Sequence, residues 1–246
     1  MATWLLCAGA VGAAEPLNIY VGQGQMPHAD DKVGNHGLFG ELMQAICVRL
    51  QRECRYQSVP WKRVQVTVAT DPQGIVLNIG RIPEREEALV WLLDVLPTAY
   101  VLVSRDKTYD TLADALRDGP VVVMGGTPRA QELLALKQPG QVVVEVTDPE
   151  QAARMLHSGR VQAWYEIDLR VGYLWHRLQY PADSMRQGKP ISVSRSYIAG
   201  SSLLKDAPAI QAEMQRTFAQ MKADGSWQRI LSRYLGDALA AQVLVR

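Results

Sequence analysis

No block of like charge interrupts this sequence, in which 26 Lys and Arg stand against 25 Asp and Glu for a formal charge of +1. Nothing in it could neutralise a run of phosphates, which sets nucleic acid aside as a partner. No apolar run reaches the roughly 20 residues that a bilayer-spanning helix needs. Histidine is scarce, confined to His28, His36, His157 and His176 without paired spacing. No Ser-His-Asp order, metal-ligand spacing or phosphate loop is evident. The pattern implies no metal, no cofactor and no catalytic machinery. Internal repeats and low-complexity linkers are missing too.

Cysteine is limited to three residues. Cys7 falls inside the apolar opening run MATWLLCAGAVGAA, away from the place where a lipid-modified cysteine would follow a cleavage point. That run, residues 1–14, reads as a signal peptide ending in small residues before a polar mature start. It has no Lys or Arg ahead of the apolar stretch, so the alternatives are a start codon further upstream or a membrane-buried anchor. Cys47 and Cys54 flank the end of an expected helix (GELMQAICVRL) and the start of an expected strand (CRYQSVPW). They are close enough to form a disulfide in an oxidising compartment, the alternative being two free buried thiols.

With 48% hydrophobic and 21% charged residues, the composition is that of an ordinary folded protein. A length of 246 residues accommodates two lobes of ordinary size. Along the chain, short β-like runs alternate with helical patterns, which argues for α/β layers with largely parallel strands. LNIYVG opens as a strand, a helix follows from about Leu38 to Arg52, and CRYQSV, GIVLNI, ALVWLL and TAYVLVSR read as further strands. Trp61 to Ala69 reads as a weaker helix, and Pro83 to Glu87 as a short helical turn.

A second unit starts beyond Arg105-Asp106-Lys107. Its first helix has Thr111 as N-cap and stops at Gly119, and a later one has Asp148 as N-cap, Pro149 at its first position and Gly159 at its end. Two closing helices, KDAPAIQAEMQRTFAQMKADG and SWQRILSRYLG, end the pattern.

Five segments stand in a telling order: VPWKR, GRIPEREEALVW, VVVMGGTPRAQELL, ARMLHSGRVQAW and MKADGSWQRILSRYLG. Together they resemble the family 3 bacterial extracellular solute-binding proteins, which include polar amino-acid receptors of ABC importers. The likeness runs from Pro16 to about Gly236. It implies an α/β, two-lobed periplasmic-binding-protein-like fold of type II, each lobe a mainly parallel sheet flanked by helices, joined by two hinge strands. Lobe 1 would be residues 16–104 with 196–246, and lobe 2 residues 107–192. Ser104 to Lys107 and Val193 to Tyr197 become the hinge candidates.

The resemblance also implies a ligand site. Arg85 falls where the family has an arginine that forks onto a ligand carboxylate; its alternative is pairing with Glu84, Glu86 or Glu87 on a solvated turn. Arg81 and Lys62 are weaker basic candidates of the same kind. Thr127 follows Gly125 and Gly126 at a helix N-terminus, where free amides favour an anion, or it caps its own helix only. Trp61 corresponds to an aromatic presented to the ligand, with core packing as its alternative. Gln25, Met26, Pro27 and His28 stand where the family places an aromatic and a Pro-Phe pair. Asn78 and Gly80 join the ligand-binding positions, although Gly80 and Ile82 replace the usual Ser and Thr. The carboxylate that receives a ligand ammonium falls on Ile167 by direct counting, and a one-residue shift brings in Glu166. An amino acid or a related carboxylate is therefore the expected ligand.

The implied partners are that ligand and an inner-membrane ABC permease; the implied location is the periplasm and the implied state a monomer. A sensory or orphan receptor is the second reading. The scaffold also hosts a dehydratase of prephenate-like acids, for which Glu166, Asp168 and His28 would be candidates, whereas His157 and His176 read as solvent-facing or core positions.

Overall fold

Local signals account for most elements of the structure, a computed structural model that describes residues 15–245. The expected signal peptide and Cys7 lie outside the described residues. β1 (Leu17–Gly22), α1 (Gly37–Leu50), β2 (Cys54–Val59), α2 (Trp61–Thr70) and β3 (Gly74–Gly80) follow in the expected order. α1 stops at Gln51, whose left-handed backbone (φ 50°) turns its N–H back onto the carbonyls of Cys47 and Val48. That reversal brings β2 alongside, and Cys47 and Cys54 are disulfide-bonded with their Cα atoms 6.1 Å apart.

β4 (Leu89–Ser104) is a single strand of 16 residues where the sequence suggested two. Pro97 interrupted the pattern because it removes a ladder N–H. In the structure it stands opposite Arg195 of β8 (Arg186–Ser201), with register shifts on either side absorbing it, and the antiparallel pairing continues from Leu89↔Ser201 to Ser104↔Arg186.

The middle of the chain forms α3 (Leu112–Asp118), β5 (Val121–Met124), α4 (Pro128–Leu136), β6 (Val143–Val146), α5 (Pro149–His157), β7 (Ala163–Ile167) and α6 (Asp168–Arg177). Its caps are those the sequence announced: the Thr111 hydroxyl accepts from Asp114 N at 3.1 Å and the Asp148 carboxylate from Glu150 N at 2.9 Å. The chain closes with α7 (Ala207–Ala223), α8 (Ser226–Leu235) and α9 (Asp237–Leu244). The sequence reading missed α9, a short run of mostly small residues whose Ala240 and Val243 are buried in the main core.

The eight strands of the described residues join one curled sheet in the order β2-β1-β3-β8-β4-β7-β5-β6. β1 runs parallel to β2 and β3 at one end, and β5 runs parallel to β6 and β7 at the other. Between these parallel sets lie the long antiparallel strands β4 and β8, so the two halves of the sheet meet along them. β3 pairs with β8 through Tyr197 and Ser196, while Tyr100 to Val103 of β4 already pair with β7. The carboxyl ends of β1, β3, β5 and β7 therefore face a shared seam.

Candidate functional site

Pro60 ends β2 and Trp61 begins α2, with its indole buried at 7% exposure. The indole Nε1 donates to the carbonyl of Gly126 at 3.2 Å, and Gln65, one turn further along α2, donates its Nε2 to the same oxygen at 3.2 Å. Gly126 lies between β5 and α4 with φ +73°, and a Cβ there would come within 2.7 Å of Lys62 Cγ. Only glycine fits that backbone at that separation. Lys62 thus borders the seam without lining the cavity described below.

The short 3-10 turn Pro83–Arg85 directs Arg85 inward. Its Nη1 donates to the Gly80 carbonyl at 2.7 Å and its Nη2 to Gln65 Oε1 at 2.7 Å. No carboxylate among the described residues takes this guanidinium. Burial lowers its pKa, with the Tyr100 and Glu84 side chains opposing the shift. The solvated ion pair falls to Arg81 instead, whose fork meets both oxygens of Glu86 at 2.8 and 2.9 Å on the surface.

Thr127 is the N-cap of α4. Its hydroxyl donates to the Met124 carbonyl at 2.6 Å and accepts from Ala130 N at 3.3 Å, so it serves its own turn. Asn78 adopts φ +57° where the β3–β8 register slips between Val76 and Ile79, and its buried Oδ1 has no hydrogen-bond partner among the described residues. A non-glycine residue in that conformation is tolerated best as Asn and marks a position the surroundings hold in place.

Gln25, Trp61, Asn78, Gly80, Arg85 and Thr127 all line one cavity of about 30 Å³. Gly126 adjoins it through the Trp61 bond. Two expected residues are not brought in: Arg81 stays on the surface, and Glu166 is absent from the lining. Ile167 lines the cavity, and the Glu166 carboxylate lies behind the lining, bonded to two arginines that form part of it.

Among the residues that the structure adds to the lining are two arginines that the sequence reading missed, Arg129 and Arg170. Both are buried, at 3% and 1% exposure. Glu166 Oε1 accepts from Arg129 Nη2 at 2.7 Å and from Arg170 Nη1 at 3.1 Å. Arg170 Nη2 also donates to Gln25 Oε1, and Gln25 Nε2 reaches the Met124 sulfur at 3.3 Å. The Arg129 guanidinium stacks over the Tyr100 ring, 4.8 Å from its centroid. The Glu166–Arg170 spacing of four was the one available signal, and it is shared with many solvated helix pairs.

His28 is fully buried, and both ring nitrogens lack a hydrogen-bond partner among the described residues. Burial drives its pKa well below the usual value, reinforced by the neighbouring Arg170 and Arg129 charges. Asp168 lies outside the cavity lining, His157 stacks on Tyr180 at 3.7 Å between centroids, and His176 is exposed. No group of three or more metal-ligating side chains occurs among the described residues, and none of their helices is long and apolar enough to cross a membrane.

Comparison with known proteins gives one consistent picture. The histidine-binding periplasmic protein of Escherichia coli K12 is 22% identical over 242 residues, covering 92% of this chain and 91% of that protein. A substrate-binding protein of an ABC uptake transporter from Streptococcus pneumoniae, with bound histidine, superposes with a TM-score of 0.77 at 12% identity, covering 90% of this chain and 92% of that one. A histidine kinase sensor domain similar to periplasmic binding proteins superposes at 0.76 with 17% identity, covering 90% and 96%. These superpositions establish the periplasmic-binding-protein fold. The model of the bacterial extracellular solute-binding proteins, family 3, matches residues 19–237, nearly the whole chain, and the protein belongs to that family.

Proposed function

We propose that this protein captures a small carboxylate-bearing solute between two lobes and delivers it to the permease of an ABC importer. The observation that carries the reading is Arg85: a buried guanidinium whose donors meet only neutral oxygens, at the wall of a cavity shared by both halves of the sheet. Burying a charge without an opposite one costs several kcal/mol. A ligand carboxylate offsets that cost and accepts the guanidinium's remaining donors.

Lobe 1 is residues 16–104 with 196–246 and lobe 2 residues 107–192. β4 and β8 cross between them, with Ser104–Lys107 and Val193–Tyr197 as hinge segments. Trp61 and Gln65 on Gly126, and Arg170 on Gln25, tie the lobes together across the seam. A cavity of about 30 Å³ has room for one or two waters. A solute therefore enters when the lobes part and is held when they close.

A periplasmic setting is supported by the Cys47–Cys54 disulfide, by the expected signal peptide over residues 1–14 and by the periplasmic relative. A monomer follows the resemblance. The amino-acid ligands of the relatives transfer to this chain only as far as their carboxylate, because Ile167 stands where an ammonium acceptor would be needed. The sensor-domain neighbour favours a second reading, in which the same closure reports the solute to a membrane partner.

A thermal-shift panel of amino acids, dicarboxylates, polyamines and aromatic acids tests the binding reading. The best hit raises Tm, and Arg85→Ala abolishes that rise. An undiminished shift in Arg85→Ala overturns it. Uptake of the same solute, lost on deleting the gene, separates transport from sensing.

A further inference from the structure

We infer that the solute is an amphiphilic monocarboxylate, one carboxylate followed by a hydrocarbon chain, and that the chain lies in a second groove which Arg85 also lines. This rests on the reading of Arg85 above and names the solute class and a further part of its site.

Space carries the first step. The cavity that Gln25, Trp61 and Arg85 share measures about 30 Å³, enough for one or two waters and so for little more than a carboxylate when the lobes are closed. Arg85 also lines a neighbouring groove of about 220 Å³. Val66 of α2, Ile79 of β3, Ile82 and Leu89 of β4 line that groove from lobe 1, and Gly126 and Gln131 from lobe 2. The body of a solute whose carboxylate meets Arg85 therefore has room in the groove. A chain held there touches both lobes and favours their closure.

The lining selects hydrocarbon. Ile79 and Leu89 are core side chains, whereas Val66 is 70% exposed and Ile82 half-buried. A lone exposed valine is ordinary on a surface, but this one shares a groove with Ile82, and a chain laid in it removes apolar surface of both from water. Gln65, at the edge of the groove, asks for no polar partner from the solute: its Oε1 accepts from Arg85 Nη2 at 2.7 Å, and its Nε2 donates to the Gly126 and Trp61 carbonyls at 3.2 and 3.4 Å. Glu84 also lines the groove, and its charge disfavours a second carboxylate there. Glu84 is exposed, so pairing with a cationic end of the solute would add little.

Calorimetric titration of the purified protein with acetate, butyrate, hexanoate and octanoate, and with 6-aminohexanoate, succinate, L-glutamine and L-histidine, tests the assignment. The expected result is a Kd that falls about 4-fold with each added methylene until the groove is filled. Val66→Ser and Ile82→Thr each weaken hexanoate at least 3-fold with circular dichroism unchanged; Val66 is largely exposed, so its substitution leaves the core intact. If affinity does not rise with chain length, or if 6-aminohexanoate, succinate or an amino acid binds more tightly than every monocarboxylate, and Arg85→Ala abolishes the binding, the groove assignment falls while the cleft reading stands. Unchanged hexanoate affinity in both groove variants also overturns it. Binding that survives Arg85→Ala, or none across this panel and the wider set of acids above, sinks both.

Discussion

Trp61 gives its indole N–H to the carbonyl of Gly126, 65 residues further along the chain and on the other side of the cavity. The bond is short enough only because Gly126 has no side chain to push α2 away. In Gly126→Ala the new Cβ meets Lys62 in a left-handed backbone that costs a non-glycine residue about 1–2 kcal/mol. The strain is concentrated in the closed arrangement. The expected outcome is a loss of ligand affinity of at least 10-fold with circular dichroism unchanged, and a reduced compaction on ligand addition in small-angle scattering. Full affinity in that variant would show that the lobes close elsewhere.

The Cys47–Cys54 bond clips the end of α1 to the start of β2, closing a loop of seven positions. Chain-entropy arguments put its contribution at roughly 2–3 kcal/mol. Replacing both cysteines by serine should lower urea-unfolding stability by about that amount and leave ligand affinity within a factor of two, since neither residue reaches the cavity. A change much below 1 kcal/mol would mean that the unfolded chain already keeps these segments together.

His28 is held neutral by burial and by the adjacent arginines, with its pKa well below the usual value. An unfolded histidine takes up a proton as pH falls below about 6.5, while the folded one resists it. The contribution of His28 is therefore present above pH 6.5 and is lost as pH falls from there toward the folded-state value, by at most about 1.4 kcal/mol per pH unit. Chemical denaturation between pH 7.5 and 5 should show this slope, and His28→Leu should flatten it. An equal slope in the variant places the acid sensitivity elsewhere.

Glu166 neutralises part of a buried three-charge cluster with Arg129 and Arg170. Glu166→Leu leaves both guanidiniums without it and should cost about 3–5 kcal/mol. A bound carboxylate should recover part of that loss, so the ligand-induced rise in Tm should be larger in Glu166→Leu than in the unmodified protein. An equal rise would separate Glu166 from the ligand site.

What the amino-acid sequence alone determined lies mostly within reach of a few neighbouring residues. Caps at Thr111 and Asp148, the strand runs LNIYVG and GIVLNI, and the helix ending beside Cys47 were legible because hydrogen bonds and periodicity over one or two turns decide them. The order of short family-like segments pointed to the fold and to Arg85 at the cavity wall. Even there the sequence divided β4 at Pro97, because a proline's missing donor is a local fact while the register shifts that absorb it belong to β8.

The tertiary structure alone decided which charges are buried and what faces them. Arg81 and Arg85 stand four residues apart in one segment, yet one meets Glu86 in solvent and the other enters the cavity. Arg129 and Arg170 look like solvated helix residues until β7 brings Glu166 between them. The cost of a buried charge depends on every group packed around it, and those groups come from α2, β3, α4 and α6, so no local pattern in the chain encodes it.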